Sequence, residues 1–129
     1  MKKNHFQHIL LIDDDQDDCE LFGEALKDYD PSLKLSCLNN SENVIPSLED
    51  KNPDLVFLDV NMPRKNGFEC LREIRGNGKY NNIPIVMYSN TGRPEDINLA
   101  YNSGASVFIQ KPSTYQGLVK ALKDVLEGE

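Results

Sequence analysis

Short apolar runs alternate with amphipathic segments along the whole chain, and this alternation limits the folds open to it. Strands are predicted at His8–Ile12, Leu33–Leu38, Leu55–Leu58, Ile83–Tyr88 and Val107–Ile109. Helices are predicted at Asp17–Tyr29, Ser41–Leu48, Gly67–Arg75, Pro94–Gly104 and Tyr115–Leu126. Strands that alternate with helices over short connections pair in parallel, with helices on both faces of the sheet. We therefore expect one α/β domain over residues 1–129, with its core between about residues 8 and 126 and no second domain.

Polar residues follow the carboxyl ends of four of these strands. Asp13 and Asp14 follow the first strand, Asp59 the third, Ser89 the fourth and Lys111 the fifth. In doubly wound α/β folds, ligands bind at this edge of the sheet, beside the point where the strand order reverses. The sequence thus predicts a site that contains three carboxylates, one hydroxyl and one ammonium.

The chemistry of this set indicates a hard cation and a phosphoryl group. Crowded carboxylates raise one another's pKa unless a cation joins them. Oxygen ligands without histidine or thiolate favour Mg²⁺, or Mn²⁺, over Zn²⁺. A carboxylate such as that of Asp59, beside a metal and a lysine, is ionised at neutral pH and suited to nucleophilic attack on phosphorus.

The residues of this edge, and the acids that follow them, also have ordinary structural interpretations. Asp15, Asp17 and Asp18 are expected to cap the N-terminus of the first helix and to oppose its macrodipole. Ser89 alone would more often cap a strand end, and Lys111 alone would more often be a loop lysine. The coincidence of these residues on one edge, rather than any single one, supports a functional site.

Composition excludes several other classes of protein. The net charge of −7 disfavours direct nucleic-acid binding, which requires a cationic face. No apolar run approaches the roughly 20 residues that span a bilayer, so no membrane partner is expected. The first five residues lead quickly into acidic sequence and do not form a signal peptide, which predicts a cytoplasmic protein. Three cysteines without CxxC spacing indicate neither a disulfide framework nor a zinc site.

Four segments carry a family resemblance, and together they run over most of the chain. They are Ile9–Asp15 with the acidic pair, Asp54–Gly67 with Asp59 and Met62-Pro63, Ile83–Ser89, and Gly104–Pro112 with Phe108 and Lys111. In these segments the chain resembles the receiver domains of bacterial two-component response regulators, of which the chemotaxis regulator is the simplest. The resemblance implies a flavodoxin-like fold with the parallel strand order 2-1-3-4-5, which is also the order that defines this class of doubly wound sheet.

The resemblance also implies roles for the residues at the acidic edge. Asp59 would be the phosphoryl acceptor, and Mg²⁺ would be ligated by Asp14, Asp59 and the backbone carbonyl of Asn61. Asp13 would hold a metal-bound water. Lys111 would pair with Asp59 and later with the phosphoryl group. The peptide bond between Lys111 and Pro112 would be cis.

A conformational switch is implied at two further positions. Ser89 would move to donate a hydrogen bond to the phosphoryl group, and Phe108 would then rotate inward. The face built from the fourth helix, the fifth strand and the fifth helix would thereby have two arrangements. The alternative is that Phe108 is simply a core aromatic residue.

Three polar residues are expected to tune access to the acceptor and dephosphorylation. Asn90 stands where the family most often has Ala or Gly, and its larger amide is expected to narrow access to Asp59. Asn61 and Thr91 flank the path of a hydrolytic water. We therefore expect a phosphoryl group that is not exceptionally long-lived.

The expected partners follow from the same resemblance. A sensor histidine kinase or histidine phosphotransfer protein would supply the phosphoryl group and contact the first helix, as in the family. The loop Gly76–Asn82 and the pattern within Asp96–Ala105 resemble stand-alone receivers encoded beside phytochrome-type or other hybrid kinases. The signal would leave through a downstream protein or a homodimer. The chain would catalyse only its own phosphorylation and dephosphorylation.

Two other classes remain as alternatives. A phosphatase of the haloacid-dehalogenase type would share the sheet, the nucleophilic aspartate and the metal. Such enzymes have the pattern Asp-x-Asp-x-Thr at the nucleophile, with a general acid two residues after it. Here Asn61 stands at the position of the general acid and cannot donate a proton in that role. A pseudo-receiver would lack a residue of the site, and the sequence lacks none of them.

Overall fold

Five parallel strands form a sheet in the computed structural model, which describes residues 6–128. The strands are β1 (His8–Ile12), β2 (Lys34–Leu38), β3 (Leu55–Asp59), β4 (Ile85–Ser89) and β5 (Val107–Gln110). They lie in the order β2-β1-β3-β4-β5. The helices are α1 (Gln16–Tyr29), α2 (Val44–Lys51), α3 (Gly67–Gly76), α4 (Pro94–Asn102) and α5 (Tyr115–Glu127). A short 3-10 helix, Gly78–Tyr80, follows α3. The predicted fold class and strand order are confirmed.

Alternate residues of each strand face opposite layers of helices. In β1, Ile9 and Leu11 pack against α1 and α5, whereas Leu10 and Ile12 pack against α2 and α3. This division follows from the two-residue period of a strand. All five residues of β3 are buried, because β3 lies at the centre of the sheet with helices on both sides. Its end, Asp59, is therefore held by rigid surroundings.

Side-chain caps determine where the helices near the carboxyl edge begin. Asp15 accepts hydrogen bonds from the backbone N–H groups of Asp17 and Asp18 at the start of α1. Asn66 forms a reciprocal capping box with Glu69 at the start of α3. Thus the ordinary structural role predicted for Asp15 is confirmed.

The second helix begins differently from the prediction. Ser41 does not cap it, because Ser41 is buried and its hydroxyl donates to the Pro63 carbonyl at 3.0 Å. Asn43 occupies the N-cap position, and α2 begins at Val44. Pro46 is tolerated as its third residue, since N–H groups in the first turn of a helix have no helical acceptor.

Other predicted boundaries differ from the observed ones by one or two residues, the usual uncertainty at element ends. The predicted cis peptide bond between Lys111 and Pro112 is wrong, because the described residues contain no cis peptide bond. The trans isomer is favoured even before proline, by about 0.5–1 kcal/mol. With this trans bond, the Lys111 ammonium still reaches Asp13, at 3.1 Å.

No described helix is both long enough and apolar enough to cross a membrane. The first five residues, on which the prediction about a signal peptide depends, lie outside the described residues.

Candidate functional site

Three carboxylates meet at the carboxyl edge of the sheet. Asp13 and Asp14 follow β1, and Asp59 ends the neighbouring strand β3. One oxygen from each of the three side chains lies within 4.8 Å of the others. Asp13 and Asp59 are buried, whereas Asp14 is exposed. The structure therefore brings together the acidic residues that the sequence predicted to meet.

Local hydrogen bonds hold Asp13 in place. Its N–H donates to the Leu38 carbonyl at 3.0 Å, and its Oδ1 accepts from the N–H of Asp15 at 2.9 Å. The side-chain amide of Asn39 donates to the Asp13 carbonyl at 2.9 Å. Burial raises the pKa of the Asp13 carboxyl, and the Asp15 hydrogen bond and the Lys111 charge offset this only in part.

A glycine allows the loop after β3 to fold tightly over the strand end. The N–H of Gly67 donates to the Val60 carbonyl at 2.8 Å. A Cβ atom at this position would lie only 2.3 Å from the Asp59 carbonyl oxygen and 2.8 Å from the Val60 Cα. These are backbone atoms of a buried strand and its extension, so they cannot move aside cheaply. Gly67 thus sets the path of the loop that carries Asn61.

The ammonium of Lys111 lies among three carboxylates. Its Nζ is 2.9 Å from Asp18, 3.1 Å from Asp13 and 3.4 Å from Asp59. Burial lowers the pKa of Lys111, but the hydrogen bond to Asp18 and the charges of Asp59 and Asp13 outweigh burial and raise it overall. The Tyr88 ring also lies beside this ammonium, with its centroid 5.1 Å from Nζ.

Sequence reasoning missed the contact between Asp18 and Lys111. It assigned Asp18 only to capping and dipole effects at the start of α1. The order of the elements held the signal, because Asp18 lies in the first turn of α1, which follows β1 directly at the carboxyl edge of the sheet. That turn faces the strand ends, where Lys111 arrives from β5.

The Asp59 carboxyl is buried at the end of β3, beside the carboxylate of Asp13. Burial, reinforced by the charge of Asp13, raises its pKa from 3.8 to about 6, with Lys111 and the Asn61 backbone opposing the shift. Its Oδ1 is buried and accepts no hydrogen bond from the part of the chain that the structure describes. A buried carboxylate oxygen without a hydrogen bond is energetically costly, and it indicates that the site accommodates a further cation or donor.

The donor set fits a hard divalent cation. Three carboxylates supply ligand oxygens that lie within 4.8 Å of one another, and the group contains no nitrogen or sulfur ligand. Exposure of Asp14 leaves one side open, which suits Mg²⁺ because that ion usually retains waters.

Ser89 ends the strand next to Asp59 and is fully buried. Its hydroxyl accepts from the N–H of Thr91 at 3.1 Å. Asn90 and Thr91 are exposed in the loop that follows, and the Asn90 carbonyl accepts from the Gln110 side chain at 3.2 Å. The structure thus brings the hydroxyl to the predicted edge and gives it a backbone partner in the β4–α4 loop.

Phe108 lies on β5, an edge strand of the sheet, and is partly buried. It pairs in register with Met87 and packs against the cluster of α2, α3 and α4. Its N–H donates to the hydroxyl of Tyr101 on α4, at 3.0 Å. Tyr101 is 48% exposed. This contact between α4 and β5, also missed from sequence, links Phe108 to the surface of α4.

The doubly wound sheet, with three carboxylates and a lysine at its carboxyl edge, defines a class of α/β domains that bind ligands at that edge. Within that class, the chain belongs to the family of response regulator receiver domains, whose profile matches residues 9–123. The family resemblance stated from sequence is confirmed. A receiver domain is a signalling module of two-component systems rather than a classical enzyme.

Several relatives share the domain. The chain is 33% identical over 118 residues to the sensory transduction protein BceR of Halalkalibacterium halodurans, covering 92% of this chain and 49% of BceR. It is 38% identical over 78 residues to a chemotaxis protein CheY homologue of Campylobacter jejuni, covering 59% of this chain and 60% of that protein. The chain therefore spans about half the length of BceR.

Solved structures resemble the chain over almost its full length. The phosphorylated cyanobacterial phytochrome response regulator RcpA has a TM-score of 0.82 and 26% identity, with 93% of each chain covered. The Mn²⁺-bound form of the response regulator Rcp1 has a TM-score of 0.82 and 26% identity, with coverage of 95% of this chain and 96% of that one.

Proposed function

We propose that Asp59 accepts a phosphoryl group from a phosphohistidine. A carboxylate oxygen of Asp59 would attack phosphorus, the N–P bond would break, and the donor imidazole would leave. The observation that carries this proposal is the buried Oδ1 of Asp59, which accepts no hydrogen bond among the described residues and lies 3.4 Å from the Lys111 ammonium. Lys111 offsets negative charge on the transferring oxygens, as preorganised cations do in phosphoryl transfer.

Asp14, Asp59 and the backbone carbonyl of Asn61 would ligate Mg²⁺, with Asp13 holding a metal-bound water. Mn²⁺ would serve in its place, since the similar response regulator Rcp1 is described in an Mn²⁺-bound form. The ion supplies positive charge that relieves the carboxylate repulsion and stabilises charge on the transferring oxygens. Asp13 also acts by orientation, because its hydrogen bonds to Asp15 and Leu38 hold it rigidly.

Phosphorylation would be transmitted through Ser89. The phosphoryl group adds close to two negative charges and three acceptor oxygens. The Ser89 hydroxyl would leave the N–H of Thr91, to which it is bonded at 3.1 Å, and donate to a phosphoryl oxygen. Phe108 would then rotate inward from its partly buried position. The α4-β5-α5 face would have two arrangements, and one of them would bind a downstream protein or form a homodimer.

Asn61, Asn90 and Thr91 would tune access and hydrolysis. All three are exposed near the strand ends, in loops that lead away from Asp59 and Ser89. Their amides and hydroxyl can orient a water, which supports a phosphoryl group that is not exceptionally long-lived. The domain would thus catalyse its own phosphorylation and dephosphorylation and no other reaction.

The partners would be a sensor histidine kinase or histidine phosphotransfer protein on the input side and a protein on the output side. The net charge of −7 supports protein rather than direct nucleic-acid recognition. Residues 8–126 would act as one receiver domain in a cytoplasmic phosphorelay.

The test is transfer from a phosphohistidine-containing donor protein with Mg²⁺, followed by intact mass. We expect the mass of one phosphoryl group on the unsubstituted chain and none on Asp59→Asn. The Asp50→Asn chain, changed at an exposed acid on α2, should be labelled normally. Labelling of Asp59→Asn, or catalytic release of phosphate from small phosphomonoesters, would contradict the proposal.

A further inference from the structure

Two cysteines from different elements meet beside the acidic site. Cys37 on β2 pairs in register with Leu11 on β1, and paired residues of parallel strands face the same layer. Leu11 belongs to the core cluster of α1 and α5, which also contains Cys19. Asn39 lies two residues beyond Cys37, and its side-chain nitrogen is 3.3 Å from the Cys19 sulfur, which brings the two cysteines together on this face. Each of the two thiols perturbs the pKa of the other.

The two thiols differ in their access to solvent, which gives each one a separate chemical role. Cys19 is buried and Cys37 is exposed. The neighbouring Cys19 thiol lowers the pKa of the Cys37 thiol, although partial burial of the Cys37 sulfur opposes this shift. The third cysteine, Cys70, is buried in the cluster on the other face of the sheet, where its thiol donates to the Ser41 carbonyl at 3.6 Å. Cys70 therefore lies apart from the pair and serves as an internal control.

We infer that Cys19 and Cys37 form a redox-active dithiol that closes to an intramolecular disulfide when it reacts with a hydroperoxide. The Cys37 sulfur attacks the peroxide, an S–O bond forms, the O–O bond breaks, and one water leaves from hydrogen peroxide. The Cys19 sulfur then attacks the sulfenic acid of Cys37. The S–S bond forms, the S–O bond breaks, and the hydroxyl group leaves as water with the Cys19 proton. The two thiols lose two electrons, and one hydrogen peroxide becomes two waters.

The dithiol contacts the backbone of the acidic site. The Cys19 thiol donates to the Asp13 carbonyl at 3.7 Å. The side-chain amide of Asn39 contacts both groups, at 2.9 Å from the Asp13 carbonyl and 3.3 Å from the Cys19 sulfur. Disulfide formation removes the Cys19 proton and hence one donor from this carbonyl. Oxidation would therefore be felt at the end of β1, where the acidic pair begins.

The test uses the full chain with stoichiometric hydrogen peroxide, followed by intact mass and a non-reducing protease digest. We expect the loss of two hydrogens, a peptide linking Cys19 to Cys37, and reversal by dithiothreitol. Cys70 should remain available for alkylation after unfolding. Cys37→Ser and Cys19→Ala should abolish the linked peptide, whereas Cys70→Ala should retain it. Amide NMR signals of Asp13 and Asn39 should shift on oxidation.

Three outcomes would overturn the inference. They are stable oxygen addition to Cys37 with Cys19 still reduced, a disulfide-linked dimer through Cys37, and a linkage that involves Cys70. The peptide map of the unsubstituted chain decides this even if Cys19→Ala fails to fold. The same map on Asp59→Asn separates the inference from the proposed phosphoryl transfer, because the disulfide should form equally well in that chain.

Discussion

Lys111 Nζ lies 2.9 Å from a carboxylate oxygen of Asp18, a residue on the first turn of α1. This is shorter than its 3.4 Å separation from the proposed acceptor. Asp18 thus competes with Asp59 for the ammonium of Lys111. The ammonium that would assist phosphoryl transfer is therefore shared with a residue outside the cluster of Asp13, Asp14 and Asp59.

The first prediction concerns this sharing. Asp18→Asn should let Lys111 move toward Asp59, because its shortest ion pair is lost. The pKa of Asp59, which is raised to about 6 in the unsubstituted chain, should fall. Carbon-detected NMR titration of the carboxyl groups measures this. Asp17→Asn removes the same charge from an exposed neighbouring position, so a similar fall in that chain would attribute the effect to net charge alone.

The second prediction concerns stability and pH. The pKa of Asp59 is raised on folding from 3.8 to about 6, so the folded chain binds this proton more tightly than the unfolded chain. The free energy of unfolding should therefore fall as pH rises through this window, by up to about 3 kcal/mol at roughly 1.4 kcal/mol per pKa unit. Urea unfolding without divalent cations, from about pH 4 to pH 8, measures it.

Asp59→Asn should be the more stable chain at the upper end of that pH range, because the uncompensated charge is gone. The advantage should shrink toward the lower end, where the Asp59 carboxyl is protonated. Mg²⁺ should raise the stability of the unsubstituted chain more than that of Asp59→Asn. Equal stability of the two chains at high pH without metal would refute the stated cause of the pKa shift.

The third prediction concerns the tight loop after β3. Gly67→Ala should destabilise the fold by about 1–3 kcal/mol, the usual cost of overpacking, because the added Cβ would lie 2.3 Å from the Asp59 carbonyl oxygen. It should also slow phosphoryl uptake by displacing Asn61. Gly78→Ala is the matched control, since a Cβ there meets no atom within 4 Å. Chemical denaturation and a phosphorylation time course provide the measurements.

The fourth prediction separates labelling from switching. Ser89→Ala should still accept a phosphoryl group at Asp59, since Ser89 makes no hydrogen bond to that carboxylate among the described residues. It should fail to change the α4-β5-α5 face. Amide NMR shifts of β5 with and without beryllofluoride report this change. Undiminished shifts in Ser89→Ala would show that the switch does not depend on Ser89. Ser113→Ala, changed at an exposed position, is the control and should behave like the unsubstituted chain.

The fifth prediction concerns the contact between α4 and β5. Tyr101→Phe removes the hydroxyl that accepts from the Phe108 N–H at 3.0 Å and keeps the ring. We expect hydrogen exchange at the Phe108 amide to accelerate by about tenfold, in line with the loss of one hydrogen bond. The Ile85 amide, which donates to the Ser106 hydroxyl at 3.1 Å, is the internal reference and should exchange at an unchanged rate.

The sequence predicted the parts of the fold that depend on local pattern. The apolar run before Asp59 predicted a buried strand, and the alternation of strands with helices predicted a parallel sheet. Because parallel strands end at one edge, the approach of Asp13, Asp14 and Asp59 also followed from sequence. Phe108 was placed on the correct strand, although its rotation stays a prediction.

Only the tertiary structure decided how side chains from distant elements share partners. The pairing of Lys111 with Asp18, the donation from Ser41 to Pro63 and the trans bond before Pro112 depend on loop paths and competing contacts. The same holds for the meeting of Cys19 with Cys37. Periodicity specifies which face of an element is buried, because that face must leave water. It does not specify which of several nearby charges a flexible lysine reaches, since distances of a few tenths of an ångström depend on the packing of the whole domain.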